Sequence, residues 1–69
     1  MTIAVTINGE ASQVSVATVA ALLAARGLAA DRVRVAVAVN GRVVPRRAWG
    51  ETTLGAGDEI EIVAPVGGG

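Results

Sequence analysis

The chain has 69 residues, 52% of them hydrophobic, and a formal net charge of zero from six Arg and six acidic residues. That length holds one small domain, close to the lower limit for a self-supporting core. Cys, His and Tyr are all absent, which removes thiol chemistry, the usual neutral-pH general base and the soft metal ligands, and so argues against a resident enzyme active site.

No basic block or aromatic-basic interleaving points to nucleic acid. Met1-Thr2-Ile3-Ala4-Val5 lacks the basic start of a signal peptide, and the longest apolar run, Val19 to Ala25, is too short to span a bilayer. Neither a membrane nor a nucleic acid is expected as a partner, and the expected location is the cytoplasm. Trp49 is the one aromatic residue, so Val, Ile, Leu and Ala must build the core.

Ile3, Val5 and Ile7 alternate with Ala4 and Thr6, the pattern of a half-buried strand. Asn8-Gly9 is a hairpin turn signal, because both residues tolerate positive φ. Glu10 to Val16 is expected to return as the second strand, with Val14 and Val16 on one face. Thr18 can cap a helix that starts at Val19, where Val19, Leu22 and Leu23 share one face. Gly27 stands where a left-handed residue would end that helix, and Leu28 can fold back over it.

Asp31 and Arg32 are read as loop. Val33, Val35, Val37 and Val39 alternate with Arg34, Ala36 and Ala38, the clearest strand of the chain. Asn40-Gly41 turns the chain into Arg42-Val43-Val44, which Pro45 ends because it cannot donate to a ladder. Trp49 is expected to plug one end of the core, and Arg46 and Arg47 to be solvated charges. Glu51 to Leu54 read as a linker, with Leu54 in contact with the core. Gly55-Ala56-Gly57-Asp58 is a tight turn into a last strand, where Ile60 and Ile62 face inward and Glu59, Glu61 and Val63 outward. Gly55 and Gly57 do not form a phosphate-binding loop, since no helix follows them and the chain has no Lys. The expected architecture is α+β: a single mixed sheet with one helix across one face.

After this strand come Ala64, Pro65, Val66, Gly67, Gly68 and Gly69. Three glycines have no side chains to pack, so 65–69 is expected to form a flexible carrier tail beyond a domain at 1–64. Extended, the tail would reach about 15–17 Å and present a thin, unhindered carboxylate to another protein.

Val39-Asn40-Gly41-Arg42-Val43-Val44-Pro45-Arg46, the Trp49 that follows, the Gly57-Asp58-Glu59-Ile60-Glu61-Ile62 run and the Gly-Gly end together resemble the ThiS family. The Val19 to Leu23 helix start fits as well, so the resemblance covers essentially the whole chain. Two features depart from it. Gly67 makes the end a triple glycine, and Pro65 before Val66 is reminiscent of the small subunit of molybdopterin synthase.

The resemblance implies a ubiquitin-like β-grasp fold with a five-stranded mixed sheet. It implies a sulfur carrier for thiamine thiazole biosynthesis. An E1-like adenylyltransferase would use ATP to adenylate the Gly69 carboxylate. A sulfur donor fed by a cysteine desulfurase would convert it to a thiocarboxylate, and a thiazole synthase would take the sulfur. The carrier itself would bind no cofactor and no metal, and would contribute no catalytic residue. In a β-grasp sheet the third and fifth strands are neighbours, which would gather Ala36, Ala38 and Val63 into a partner-docking patch beside the tail. Two other readings stay open: a carrier for another pathway, and a ubiquitin-like modifier or binding module.

Overall fold

The computed structural model describes residues 2–28 and 34–63. Five strands, one α-helix and one 3₁₀ turn follow in the order β1 (Ile3–Ile7), β2 (Glu10–Val14), α1 (Val19–Ala25), β3 (Ala36–Val39), β4 (Arg42–Val44), the 3₁₀ turn Arg46–Ala48, and β5 (Glu59–Val63). The strands form one sheet in the order β2-β1-β5-β3-β4. Only the β1–β5 pair is parallel, with Thr6 opposite Glu59 and Ile7 opposite Ile60. The expected mixed five-stranded sheet with a single helix is therefore the observed one.

Both Asn-Gly pairs turn as their sequence requires. Asn8 and Gly9 have φ of 52° and 85°, and Asn40 and Gly41 have 53° and 83°. Positive φ at both central positions gives a twist that matches the flanking strands. Helix α1 is closed at both ends. The Thr18 hydroxyl accepts from Ala21 N at 3.1 Å. Beyond the helix, Gly27 (φ 74°) lets Gly27 N donate to Ala24 O and Leu28 N to Leu23 O, at 3.0 and 2.8 Å. That bond pair lets Leu28 lie back against the core.

The core lies between α1 and one sheet face. It comprises Val5, Ile7, Val19, Leu22, Leu23, Val37, Trp49, Ile60 and Ile62. Val19 and Leu23 are fully buried, and sequestering each such side chain is worth about 1.5–3 kcal/mol. Trp49 plugs the core as expected, with its indole N–H donating to Val44 O at 3.0 Å and the Arg46 guanidinium 4.7 Å from its ring centre.

Several boundaries differ from the sequence reading. β2 stops at Val14, although Val16 still packs on the core. β3 begins at Ala36, and Asp31, Arg32 and Val33 lie outside the described residues. The 3₁₀ turn at Arg46–Ala48 was not expected. The largest correction concerns 51–54. Thr52 O accepts from Val19 N at 3.0 Å, Trp49 O accepts from Ala20 N at 3.1 Å, and Leu54 N donates to Ala17 O at 2.9 Å. Together with Trp49, this segment is a fitted cap rather than a linker. A helix start leaves its first N–H groups without internal partners, and these carbonyls satisfy two of them.

Candidate functional site

The sheet face opposite α1 is the surface on which the sequence places its apolar patch. Strand register decides what is gathered there, since residues directly opposite in an antiparallel pair share a face. Ala36 stands opposite Val63, and Ala38 lies between Glu61 on β5 and Val43 on β4. Ala36, Ala38 and Val63 therefore come together, as expected of neighbouring third and fifth strands. Val63 is 67% exposed and Val43 78%, the two exposed large hydrophobic residues among those described. With Ala36, Ala38 and Glu61 they line one shallow depression.

Val43 was missed in the sequence reading, although a signal for it exists. Val44 packs on the core, and residues alternate faces along a strand, so Val43 must point to the other side. The small Ala36 and Ala38 side chains keep the floor low between the two valines, and Glu61 marks the polar margin. This arrangement suits contact with an apolar surface.

β5 carries the chain from this depression toward 64–69. The boundary at 64/65 and the carrier-tail positions Val66, Gly67, Gly68 and Gly69 lie outside the described residues. Toward the start of β5, the same region of the molecule has a second, more polar hollow lined by Thr6, Gly9, Gly41, Glu59 and Glu61. No group of three His, Cys, Asp or Glu side chains placed to hold a metal occurs among the described residues. No helix among them is long and apolar enough to cross a membrane. Arg46, read from sequence as a plain solvated charge, lies over the Trp49 ring.

A curated thiazole synthase from Paramagnetospirillum magneticum is 42% identical over a 64-residue alignment that covers 91% of this chain. The chain spans 19% of that relative's length. Among solved structures, the crystal structure of the thiamine biosynthesis protein ThiS from Geobacter metallireducens is similar, with a TM-score of 0.77 and 37% identity over 97% of this chain and all of that one. The solution NMR structure of a thiamine biosynthesis protein from the same organism gives a TM-score of 0.78 at 37% identity, covering 97% of this chain and 88% of that one. The ThiS family model matches residues 3–69, from the first strand through the final glycine, and the chain is accordingly a member of the ThiS family.

Proposed function

We propose that this protein is a sulfur carrier for thiazole formation in thiamine biosynthesis, with Gly69 as the residue that carries the sulfur. The observation that carries this reading is the family match, which runs through the glycine end as well as the folded domain. An E1-like adenylyltransferase uses ATP to form an acyl-adenylate at the Gly69 carboxylate and releases pyrophosphate. A persulfide sulfur supplied by a cysteine desulfurase then displaces AMP to form an acyl disulfide, and a partner thiol cleaves its S–S bond, leaving a disulfide on the partner and the thiocarboxylate on Gly69. A thiazole synthase takes the sulfur from it. Support for that last partner comes from the thiazole synthase of which a 64-residue stretch matches this chain, because there carrier-like and synthase sequence share one polypeptide.

The chemistry explains the residues. A terminal carboxylate is ionised at pH 7 and is a poor electrophile until adenylation supplies a leaving group. Glycine leaves no Cβ beside the attacked carbonyl and permits close approach in a narrow channel. The chain contains no Cys or Lys that could capture the activated acyl group. It acts as a carried substrate rather than a catalyst, and all cofactor chemistry, including ATP, belongs to its partners.

Ala36, Ala38 and Val63, joined by Val43, form the docking patch for the activating enzyme. The patch places an apolar anchor at the end of β5, next to the residues that must enter the enzyme.

The test is intact-mass analysis after incubation with the activating enzyme, ATP and a sulfur source. The chain gains the mass difference of one sulfur replacing one oxygen at Gly69. An unmodified terminus under conditions that convert a ThiS control overturns the proposal. An isopeptide adduct to a target amine would instead identify a modifier.

A further inference from the structure

At the end of β5, a side chain takes the place of a neighbouring strand. The parallel ladder between β1 and β5 advances two residues at a time. Thr6 N donates to Asp58 O at 2.9 Å, and Asn8 N donates to Ile60 O at 2.8 Å. A regular continuation would bring Glu10 N to Ile62 O and Ile62 N to Asn8 O. The chain has already turned away, because Asn8 and Gly9 are left-handed and Glu10 lies opposite Ile7 on β2.

The Asn8 carboxamide supplies both missing bonds. Its Oδ1 accepts from Ile62 N at 2.8 Å and its Nδ2 donates to Ile62 O at 3.1 Å. A carboxamide offers the same donor and acceptor as a peptide group, so it serves as one further peptide unit of β1. Asn40, in the matching turn, works at the other end of β5. There its side chain accepts from Glu59 N and donates to the Asp58 carboxylate, at 2.9 and 3.0 Å.

We propose that Asn8 is a positioning residue for the carrier reaction: its carboxamide closes the β1 side of the ladder at Ile62 and sets the anchored point from which 64–69 are presented. This rests on the carrier reading of the chain. Both β1-facing backbone groups of Ile62 are used by one side chain. Without it, the end of β5 is held by β3 alone, through Ala38 opposite Glu61 and Ala36 opposite Val63. Loosening Ile62 loosens the point from which 64–69 are tethered, so the Gly69 carboxylate meets the reacting geometry less often. Asparagine meets two demands together. It tolerates the left-handed backbone, and it carries a donor and an acceptor on one planar group. Aspartate would meet the first demand but set a carboxylate oxygen against Ile62 O.

The experiment compares wild type with Asn8→Gly and Asn8→Asp, both of which keep the turn accessible. Amide hydrogen exchange by NMR reads the clamp, with Ile60, paired to Ile7 in the backbone ladder, as internal reference. In Asn8→Gly the Ile62 amide exchanges at least about tenfold faster relative to Ile60, since it loses its one partner on that side. Steady-state thiocarboxylate formation reads positioning. The kcat falls about tenfold or more while KM, set by the docking patch, stays unchanged. Asn8→Asp falls between wild type and Asn8→Gly in Ile62 exchange near neutral pH, because it keeps the acceptor and loses the donor. Unchanged Ile62 exchange in Asn8→Gly overturns the clamp. Faster exchange with wild-type kcat, or a change confined to KM, overturns the positioning role. A folded wild-type chain that forms no thiocarboxylate defeats the carrier reading itself, whatever the variants do, and the positioning role with it.

Discussion

Replacing Trp49 with alanine removes the one aromatic ring from a core otherwise made of Val, Leu and Ile. The residue is 6% exposed, so nearly all of its surface is lost from the packed interior, and a truncation of this kind costs about 3–5 kcal/mol. Two further interactions go with the ring. The Val44 carbonyl loses the indole N–H that donates to it at 3.0 Å, worth about 1 kcal/mol. The Arg46 guanidinium loses the ring face 4.7 Å away, worth about 0.5–1 kcal/mol. A domain of this length has a total stability of only about 3–10 kcal/mol. Trp49→Ala should therefore lose a third or more of that stability, and at the low end it unfolds at room temperature. Trp49→Phe keeps most of the ring and removes only the donor, so it should cost about 1–2 kcal/mol and keep a cooperative transition. The assay is urea unfolding followed by far-UV circular dichroism, since the variants lack the chain's one tryptophan as a fluorophore. A Trp49→Ala midpoint and slope equal to wild type, with sulfur transfer lost, would refute the packing argument and make Trp49 a recognition residue.

Ala38→Glu should keep a cooperative thermal transition but weaken binding to the activating enzyme, as measured by calorimetry. Because Ala38 sits opposite Glu61, the like charges should also cost up to about 1 kcal/mol, whereas Ala38→Arg should block docking without that penalty. Unchanged binding by both variants would remove the patch from consideration. Thr18→Ala should destabilise the fold by about 1 kcal/mol in chemical denaturation, through loss of the hydroxyl that accepts from Ala21 N. Adding one alanine after Gly69 should abolish thiocarboxylate formation by intact mass while leaving the melting temperature unchanged, because it moves the carboxylate by about 3.3–3.6 Å. Deleting Gly69 alone leaves Gly68 as a terminal glycine and should retain partial conversion; deleting Gly68 and Gly69 together should retain none.

The elements legible in the sequence are those set by local chemistry. Alternation at Ile3, Val5 and Ile7 and at Ile60 and Ile62 assigns strand and inward face, because the side-chain period of a strand is two. Asn8-Gly9 and Asn40-Gly41 announce their turns because few other residue pairs adopt two successive positive φ values. Thr18 and Gly27 bracket the helix because its ends need a side-chain acceptor and a left-handed residue. All of these depend on neighbours a few positions away. The Ala36, Ala38 and Val63 grouping was legible only with a fold supplied by resemblance, since alternation names a face but not the strand beside it.

Tertiary structure decided the rest, for the same reason in reverse. That β5 enters between β1 and β3 depends on contacts across most of the chain. So does the use of Thr52 and Trp49 carbonyls to satisfy the start of α1. The segment 51–54 has a linker-like composition, and backbone carbonyls exist at every residue, so no side-chain pattern marks the ones that will meet a helix end. Asn8 has the same limit. Its sequence context specifies a turn, but the two bonds from its carboxamide to Ile62 span 54 positions. They exist only because the parallel pairing of β1 and β5 delivers Ile62 to the point where the β1 backbone runs out.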